Sequence, residues 1–365
     1  MPKILHAADI HLGAPFKQFT VKGKELREGA KQTFQNIINL ANEENVDLVV
    51  FAGDIADSNR LSPAMVNFIT SQLSKLKMPG VILPGTHDSY NKESIYRRFE
   101  WSRLENVVIF SEEAGQALFY PQLSLAVHGK PNTSNRDSVS PIKGLTPHPE
   151  ARWNIALAHG SLQITGKSAE DDYPIEFKDI EALEMDYLAL GHWHSFLGDI
   201  RLGKTLASYC GSATTLGFGE DNGTVNIVEL TERGVEVTRK EVAYHKWTRV
   251  ECNVRELAEE VERLAGPNIL LRVRIKGNIS EEEKAIIIEI QERYNESFFD
   301  FHLEHGQGEK GNIQIDLASF PETTVVGQFI RLASQKIDQA DPEQKQLWEE
   351  VMQRGCNILV NGEVE

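Results

Sequence analysis

Histidines and aspartates recur in this chain where apolar runs end. The stretch Ala189–Ser195, ALGHWHS, puts His192 and His194 two residues apart, directly after the apolar run Tyr187–Leu190. Near the start, Ile4–Ala8 runs into Asp9, Ile10 and His11. Between these two places Asp54, His87 with Asp88, and His159 each follow an apolar segment. Residues two apart on an extended chain point the same way, so each pair is expected to aim two ligand-type side chains at one spot. A mixed imidazole and carboxylate set suits Mn²⁺, Fe²⁺ or Zn²⁺ rather than Ca²⁺, and no thiolate is at hand to select a soft metal. Asp9, His11, Asp54, His159, His192 and His194 are too many ligands for one ion and about right for two. Two ions about 3.5–4 Å apart can bind both non-bridging oxygens of a phosphate and lower the pKa of a water between them. His87, if not a ligand, titrates in the range needed to protonate a leaving oxygen.

Residues 3–8 read as a short buried strand. Lys24–Glu44 carries Phe34, Ile37, Ile38 and Ala41 at helical spacing. Val46–Ala52 is nearly all apolar, as in a strand covered on both faces, and ends in Gly53-Asp54. Pro63 opens a helix with the stripe Val66, Ile69, Leu73 and Leu76, and Gly80–Leu83 runs into Pro84-Gly85-Thr86-His87-Asp88. This alternation indicates βαβ units, with the polar clusters at the carboxyl ends of strands. Further strands are expected at Val107–Phe110, Leu123–His128, Asn154–His159, Asp186–Gly191 and Leu206–Tyr209, with a hairpin around Glu232-Arg233-Gly234. Near residue 245 the pattern resets into a smaller α+β unit, with strands at Arg249–Asn253, Ile269–Lys276 and Phe298–Glu304 and helices at Val254–Leu264 and Ser280–Tyr294. The expected division is 1–244, 245–320 and 321–365, the last carrying helices at Val325–Asp338 and Pro342–Arg354.

A net charge of -16 argues against a generic polyanion binder but leaves open a locally basic site. Cys210, Cys252 and Cys356 are scattered and odd in number, so reduced, buried thiols in a cytoplasmic protein are expected. No run reads as a signal peptide or a membrane span, and a soluble chain without membrane contact is expected.

The series Asp9-x-His11, Gly53-Asp54, Gly85-x-His87-Asp88, His159-Gly160 and Gly191-His192-x-His194 resembles the five motifs of calcineurin-like metallophosphoesterases over roughly the first 200 residues. The opening HAADIHLG and the later α+β unit resemble, more narrowly, the SbcD-type nuclease subunit of a double-strand-break-repair complex. The resemblance implies a four-layer α/β/β/α sandwich with a capping domain. It implies one metal on Asp9, His11 and His194 and a second on His159 and His192, with Asp54 bridging. His87 would be the transition-state histidine, oriented by Asp88. The ions it implies are two divalent metals, foremost Mn²⁺. The partners it implies are DNA, an SMC-like ATPase and a second copy through the first domain. At Thr86 the family has an asparagine ligand. A threonine hydroxyl is also a neutral oxygen but reaches less far, so a second metal held more weakly, or through a water, is expected.

Taken singly, His192 and His194 could be polar residues on a surface strand; the matched series favours ligands. His6 and His128 read as structural, Trp193 and Phe196 as packing residues, and Tyr90 as a loop anchor. Arg272, Arg274 and Lys276 alternate with Leu271, Val273 and Ile275, giving one cationic face. That face is either a phosphate-backbone contact or an ordinary solvated strand. The C-terminal helices either dock the ATPase or fold back on the cap. The expected function is metal-dependent hydrolysis of DNA as an exo- or endonuclease in repair and recombination. The rivals are a phosphoesterase for small esters or phosphoprotein, and a scaffold whose site is impaired at Thr86.

Overall fold

The computed structural model describes residues 1–19, 22–164, 168–195, 198–220, 223–277, 279–305, 325–339, 344–345, 347–348, 351–352 and 355. The strands are β1 (Lys3–Ala7), β2 (Leu48–Ala52), β3 (Gly80–Leu83), β4 (Val107–Ile109), β5 (Gln116–Tyr120), β6 (Leu125–Gly129), β7 (Trp153–His159), β8 (Tyr187–Gly191), β9 (Ile200–Leu202), β10 (Thr205–Tyr209), β11 (Thr224–Thr231), β12 (Gly234–Glu241), β13 (Lys246–Cys252), β14 (Gly266–Ile275) and β15 (Phe298–His305). The helices are α1 (Gly23–Glu43), α2 (Pro63–Leu73), α3 (Ile95–Arg98), α4 (Phe177–Ala182), α5 (Val254–Leu264), α6 (Glu281–Tyr294) and α7 (Val325–Gln339).

Two six-stranded sheets run in the orders β12-β11-β1-β2-β3-β4 and β5-β6-β7-β8-β10-β9. In the first, β1 to β4 are mutually parallel; in the second, β6, β7, β8 and β10 are. The apolar runs have both faces to bury, and the period of two sorts them. Ile4, Leu48, Val50 and Val81 of the first sheet meet Val127, Ile155, Leu157 and Ala189 of the second. Leu5, Val49, Phe51 and Ile82 face the other way, onto Phe34 and Ile37 of α1 and Val66 and Ile69 of α2. On the outer face of the second sheet Ala156, Leu188 and Ala207 cover Ile180, Leu183 and Met185 around α4. The result is an α/β/β/α sandwich of four layers.

Pro63 at the start of α2 and Ser62, which accepts from the Met65 amide, fix that helix start as its sequence indicates. α5 opens with a reciprocal capping box between Asn253 and Glu256. No helix among the described residues is long and apolar enough to cross a membrane. Cys210 and Cys252 are free and buried, and Cys356 lies outside the described residues.

Contacts divide the chain into two compact units, Met1–Arg274 with Ala285–Glu304, and Ile275–Lys284 with His305–Glu365. The change of pattern at residue 245 therefore falls inside the first unit. The reason is apolar: Trp247 and Leu270, on the three-stranded sheet β13-β14-β15, are buried with Ala14, Phe16 and Leu26. The second unit includes α7; most of the helix expected at Pro342–Arg354 lies outside the described residues.

Candidate metal centre

The seven metal-type positions come from the carboxyl ends of five parallel strands. Asp9 and His11 follow β1, Asp54 follows β2, Thr86 follows β3, His159 closes β7, and His192 and His194 follow β8. The chain leaves these strands through strained backbone. Asp9, His11, Asp54 and His192 have φ of 52°, 49°, 52° and 102°. Left-handed backbone at non-glycine residues is uncommon and costs of order 1–3 kcal/mol where it occurs, so the surrounding hydrogen bonds must hold it. They do: the Asp54 carbonyl accepts from the amides of Ile10 and His11 at 2.9 and 3.0 Å. Ser212 Oγ donates to the Asp9 carbonyl at 2.7 Å. Gly53 and Gly191 are required for close approach, since a Cβ at the first would collide with the His159 ring and at the second with the Ala52 carbonyl.

This backbone corrects the expectation that each pair shares a face. β8 ends at Gly191, and His192 turns away before His194 is reached. His192 Nδ1 faces His159 Nε2 at 3.3 Å, whereas His194 Nε2 faces His11 Nε2 at 3.1 Å. The extended-chain alternation fails because neither pair is extended.

The remaining ring nitrogens settle which atoms carry lone pairs. His159 Nδ1 donates to the Ala52 carbonyl at 2.9 Å, leaving Nε2 bare. His192 Nε2 is 2.9 Å from Asp172 Oδ2, and His194 Nδ1 is 3.1 Å from Glu220 Oε1. His11 Nδ1 lies 3.5 Å from Asp57 Oδ1. Each facing pair therefore presents two lone pairs to one another, which is repulsive unless a cation lies between. Two nitrogens each about 2.0–2.1 Å from one ion, at near-tetrahedral or right angles, stand about 2.9–3.4 Å apart. Both observed separations fall in that range, so the donor set fits two metal ions.

The carboxylates complete each group. Asp9, His11 and His194 offer ligand atoms within 4.8 Å of one another, and so do Asp9, Asp54 and His159. Asp54 Oδ2 is 3.0 Å from His159 Nε2 and accepts from Thr86 Oγ1 at 3.1 Å. Burial alone would raise the Asp54 carboxyl, but the charge of His159 and its hydrogen bond override this and hold it well below the carboxylate range. Burial opposes charge on His159, yet Asp54 and then Asp9 push it up to about 10. Glu220, against burial, raises His194. Without metal, protons serve as the positive charge that this cluster requires.

His87 is the open member, with half of its side chain exposed, and its ring lies 4.7 Å from that of His11. Its Nδ1 is 2.9 Å from the Asp57 carbonyl, so that carbonyl, not Asp88, sets the ring. Asp88 is buried and accepts from the Gly85 amide at 2.7 Å, the Ala56 amide at 3.1 Å and Tyr96 Oη at 2.7 Å. Its carboxyl is raised by burial and then by the charge of Asp54. Asp88 ties the Thr86–His87 turn to the loop after β2.

Asp172, Glu220 and Asp57 are missing from the sequence reading. Asp172 also accepts from Ser161 Oγ, and the hydrogen bond from His192 is the first cause of its carboxyl lying at about 2. Both Asp172 and Glu220 sit in connections without periodicity, and only their spatial position marks them. Of the cationic face, Arg272 is 3.5 Å from Asp300, Arg274 is 3.6 Å from Glu251, and Lys276 belongs to the second unit. His6 is buried with Nδ1 2.9 Å from Tyr187 Oη, and His128 bonds Asn154 at 3.0 Å; neither approaches the cluster through these contacts.

Comparison with known proteins gives this arrangement a lineage. The chain is 28% identical over 206 residues to the uncharacterized metallophosphoesterase YhaO of Bacillus subtilis, covering 52% of this chain and 48% of that protein. It is 23% identical over 248 residues to the D subunit of the nuclease SbcCD of Staphylococcus epidermidis, covering 60% of this chain and 63% of that protein. The chain thus spans between about half and just under two thirds of the length of these relatives. Among solved structures, TT1561 of Thermus thermophilus aligns at a TM-score of 0.42 and 13% identity, over 65% of this chain and 98% of that one. A purple acid phosphatase from yellow lupin aligns at 0.40 and 12%, over 66% and 51%. Residues 2–196, more than half of the chain, match calcineurin-like phosphoesterase, and the chain belongs to that family.

Proposed function

We propose that this chain is a two-metal phosphodiesterase acting on DNA, a nuclease subunit that works with an SMC-like ATPase and takes Mn²⁺ in preference to Fe²⁺ or Zn²⁺. The observation that carries the reading is the pair of facing imidazoles, His11 with His194 and His159 with His192, flanked by Asp9 and Asp54 beside a half-exposed His87. Divalent ions held there supply Lewis acidity towards a phosphodiester and lower the pKa of water. Asp9, His11 and His194 would hold one ion, and Asp54, His159 and His192 with the Thr86 hydroxyl the other.

The proton on the leaving oxygen falls to His87. The Asp57 carbonyl engages Nδ1, which leaves Nε2 to give and recover a proton at the exposed edge. Similarity to a protein named as a nuclease subunit supports DNA as substrate and an ATPase as partner. The α+β segment 245–320 would cap the site, and the residues after 321 would dock the partner.

The test is hydrolysis with Mn²⁺ of single- and double-stranded DNA, bis(p-nitrophenyl) phosphate and a phosphopeptide by the full chain. DNA cleavage that drops about a hundredfold or more in His87→Ala, with metal content unchanged, is expected. Turnover of the small substrates without DNA cleavage would point to another phosphoesterase class. Two bound ions without turnover would make the chain a scaffold.

A further inference from the structure

Outside the metal cluster, the described surface brings aromatic rings and unneutralised arginine together on the loop that leaves the site. Residues 211–220 are anchored to the cluster at both ends. Ser212 donates its amide to the His194 carbonyl at 3.0 Å, and Glu220 holds His194 Nδ1 at 3.1 Å. Between these anchors the loop projects Phe218, whose ring meets Trp247 edge-on at 5.0 Å. The guanidinium groups of Arg249 on β13 and Arg272 on β14 lie 5.7 and 5.2 Å from the Phe218 centroid. Arg272 and Lys22 share the carboxylate of Asp300, at 3.5 and 3.0 Å. Arg249 is exposed and makes no ion pair among the described residues. Three cations thus stand against one carboxylate in a chain of net charge -16. At physiological salt charges are screened over about 8 Å, so this patch, not the total, sets the local field.

We propose that Phe218, Arg249 and Arg272 form a subsite for single-stranded nucleic acid, receiving the strand next to the phosphodiester that the metals cleave. Guanidinium planes held over an aromatic ring are pre-set for phosphate and for the face of an unstacked base. A duplex, whose bases are already stacked, would use only the charge. The position fits: Phe218 is two residues from Glu220, at most about 7 Å of extended chain, and Glu220 touches a metal-site histidine. The subsite rests on the nuclease reading for its substrate, and on its own residues for its place. It uses Arg272 from the expected cationic row but turns from Arg274 towards Arg249, across the strand pair.

The experiment measures binding of a fluorescein-labelled oligothymidylate and of a duplex to the full chain in EDTA, across a salt series. Arg249→Gln should weaken oligothymidylate binding about fivefold and lower the log–log salt slope by about 0.7, the loss of one single-strand phosphate contact. Phe218→Leu, which keeps apolar bulk against Trp247, should weaken single-strand binding by a similar factor with the slope unchanged, and duplex binding less. Arg103→Gln, which removes the same charge at an exposed site far along the chain, should bind as wild type. Wild-type affinity in both subsite variants would overturn the proposal, as would an equal loss in Arg103→Gln. Cleavage of DNA by the wild type is scored separately: cleavage with unaltered variants sinks the subsite alone, and binding lost in the variants without wild-type cleavage sinks the nuclease reading alone.

Discussion

The hydroxyl of Thr86 donates to Asp54 Oδ2 at 3.1 Å and lies 3.3 Å from His159 Nε2, so it sits on the donor set of the second ion. A neutral oxygen is in place, though on a shorter side chain than asparagine would offer. Thr86→Asn is expected to tighten the weaker Mn²⁺ site about tenfold, and Thr86→Val, equal in shape but without the oxygen, to loosen it. Chelator competition with metal counting reads both. Identical affinities in the three proteins would remove Thr86 from the site.

Asp172 and Glu220 separate the two ions experimentally. Each accepts from the far nitrogen of one histidine and so fixes which nitrogen can bind metal: Nδ1 for His192 and Nε2 for His194. Loss of such outer partners costs about 10–100-fold in metal affinity. Asp172→Asn is expected to weaken the site of His159 and His192, and Glu220→Gln the site of His11 and His194. Calorimetric titration with Mn²⁺ should show one altered binding step in each variant, and not the same one. If both variants lose the same step, the two histidines serve one ion.

Much of this site is legible from sequence because parallel strands gather their carboxyl ends on one edge. Asp9, Asp54, Thr86, His159 and His192 each follow an apolar run, and sheet topology does the rest. What stays hidden is backbone handedness. The alternation argument presumes extended chain at Asp9–His11 and His192–His194, and φ values near 50° and 102° break it. Asp172 and Glu220 carry no periodic signal, since their loops are placed by tertiary contacts. Edge strands escape for a similar reason: β9 has three residues and β5 is only partly buried, so neither shows an alternation to read.

Asp88 offers a direct choice between orienting His87 and tying the loop. Its carboxylate satisfies two amides and the Tyr96 hydroxyl while fully buried. Asp88→Ala would leave those three donors unpaired, at roughly 1–3 kcal/mol each before relaxation. A loss of several kcal/mol in urea unfolding is expected, with a smaller one, about 1 kcal/mol, in Tyr96→Phe. The loop reading also requires that Tyr96→Phe leave the pH profile of turnover unshifted. A stable Asp88→Ala protein with a displaced profile would restore Asp88 to His87.

His6 makes stability depend on pH in a way that can be isolated. It is wholly buried between the sheets, and burial lowers it from the ordinary histidine value to about 3. In the unfolded chain it takes up a proton near pH 6.5. Between those values the unfolded state binds more protons, so lowering the pH favours unfolding by up to about 1.4 kcal/mol per pH unit. The contribution is complete above about pH 6.5 and is lost progressively towards pH 3. His6→Asn, neutral throughout, should be less stable than wild type at pH 7.5, and the difference should shrink as pH falls to 4.5. Urea unfolding in EDTA removes metal linkage from the comparison. Parallel stability curves for the two proteins would show that His6 is protonated, or solvated, in the folded state.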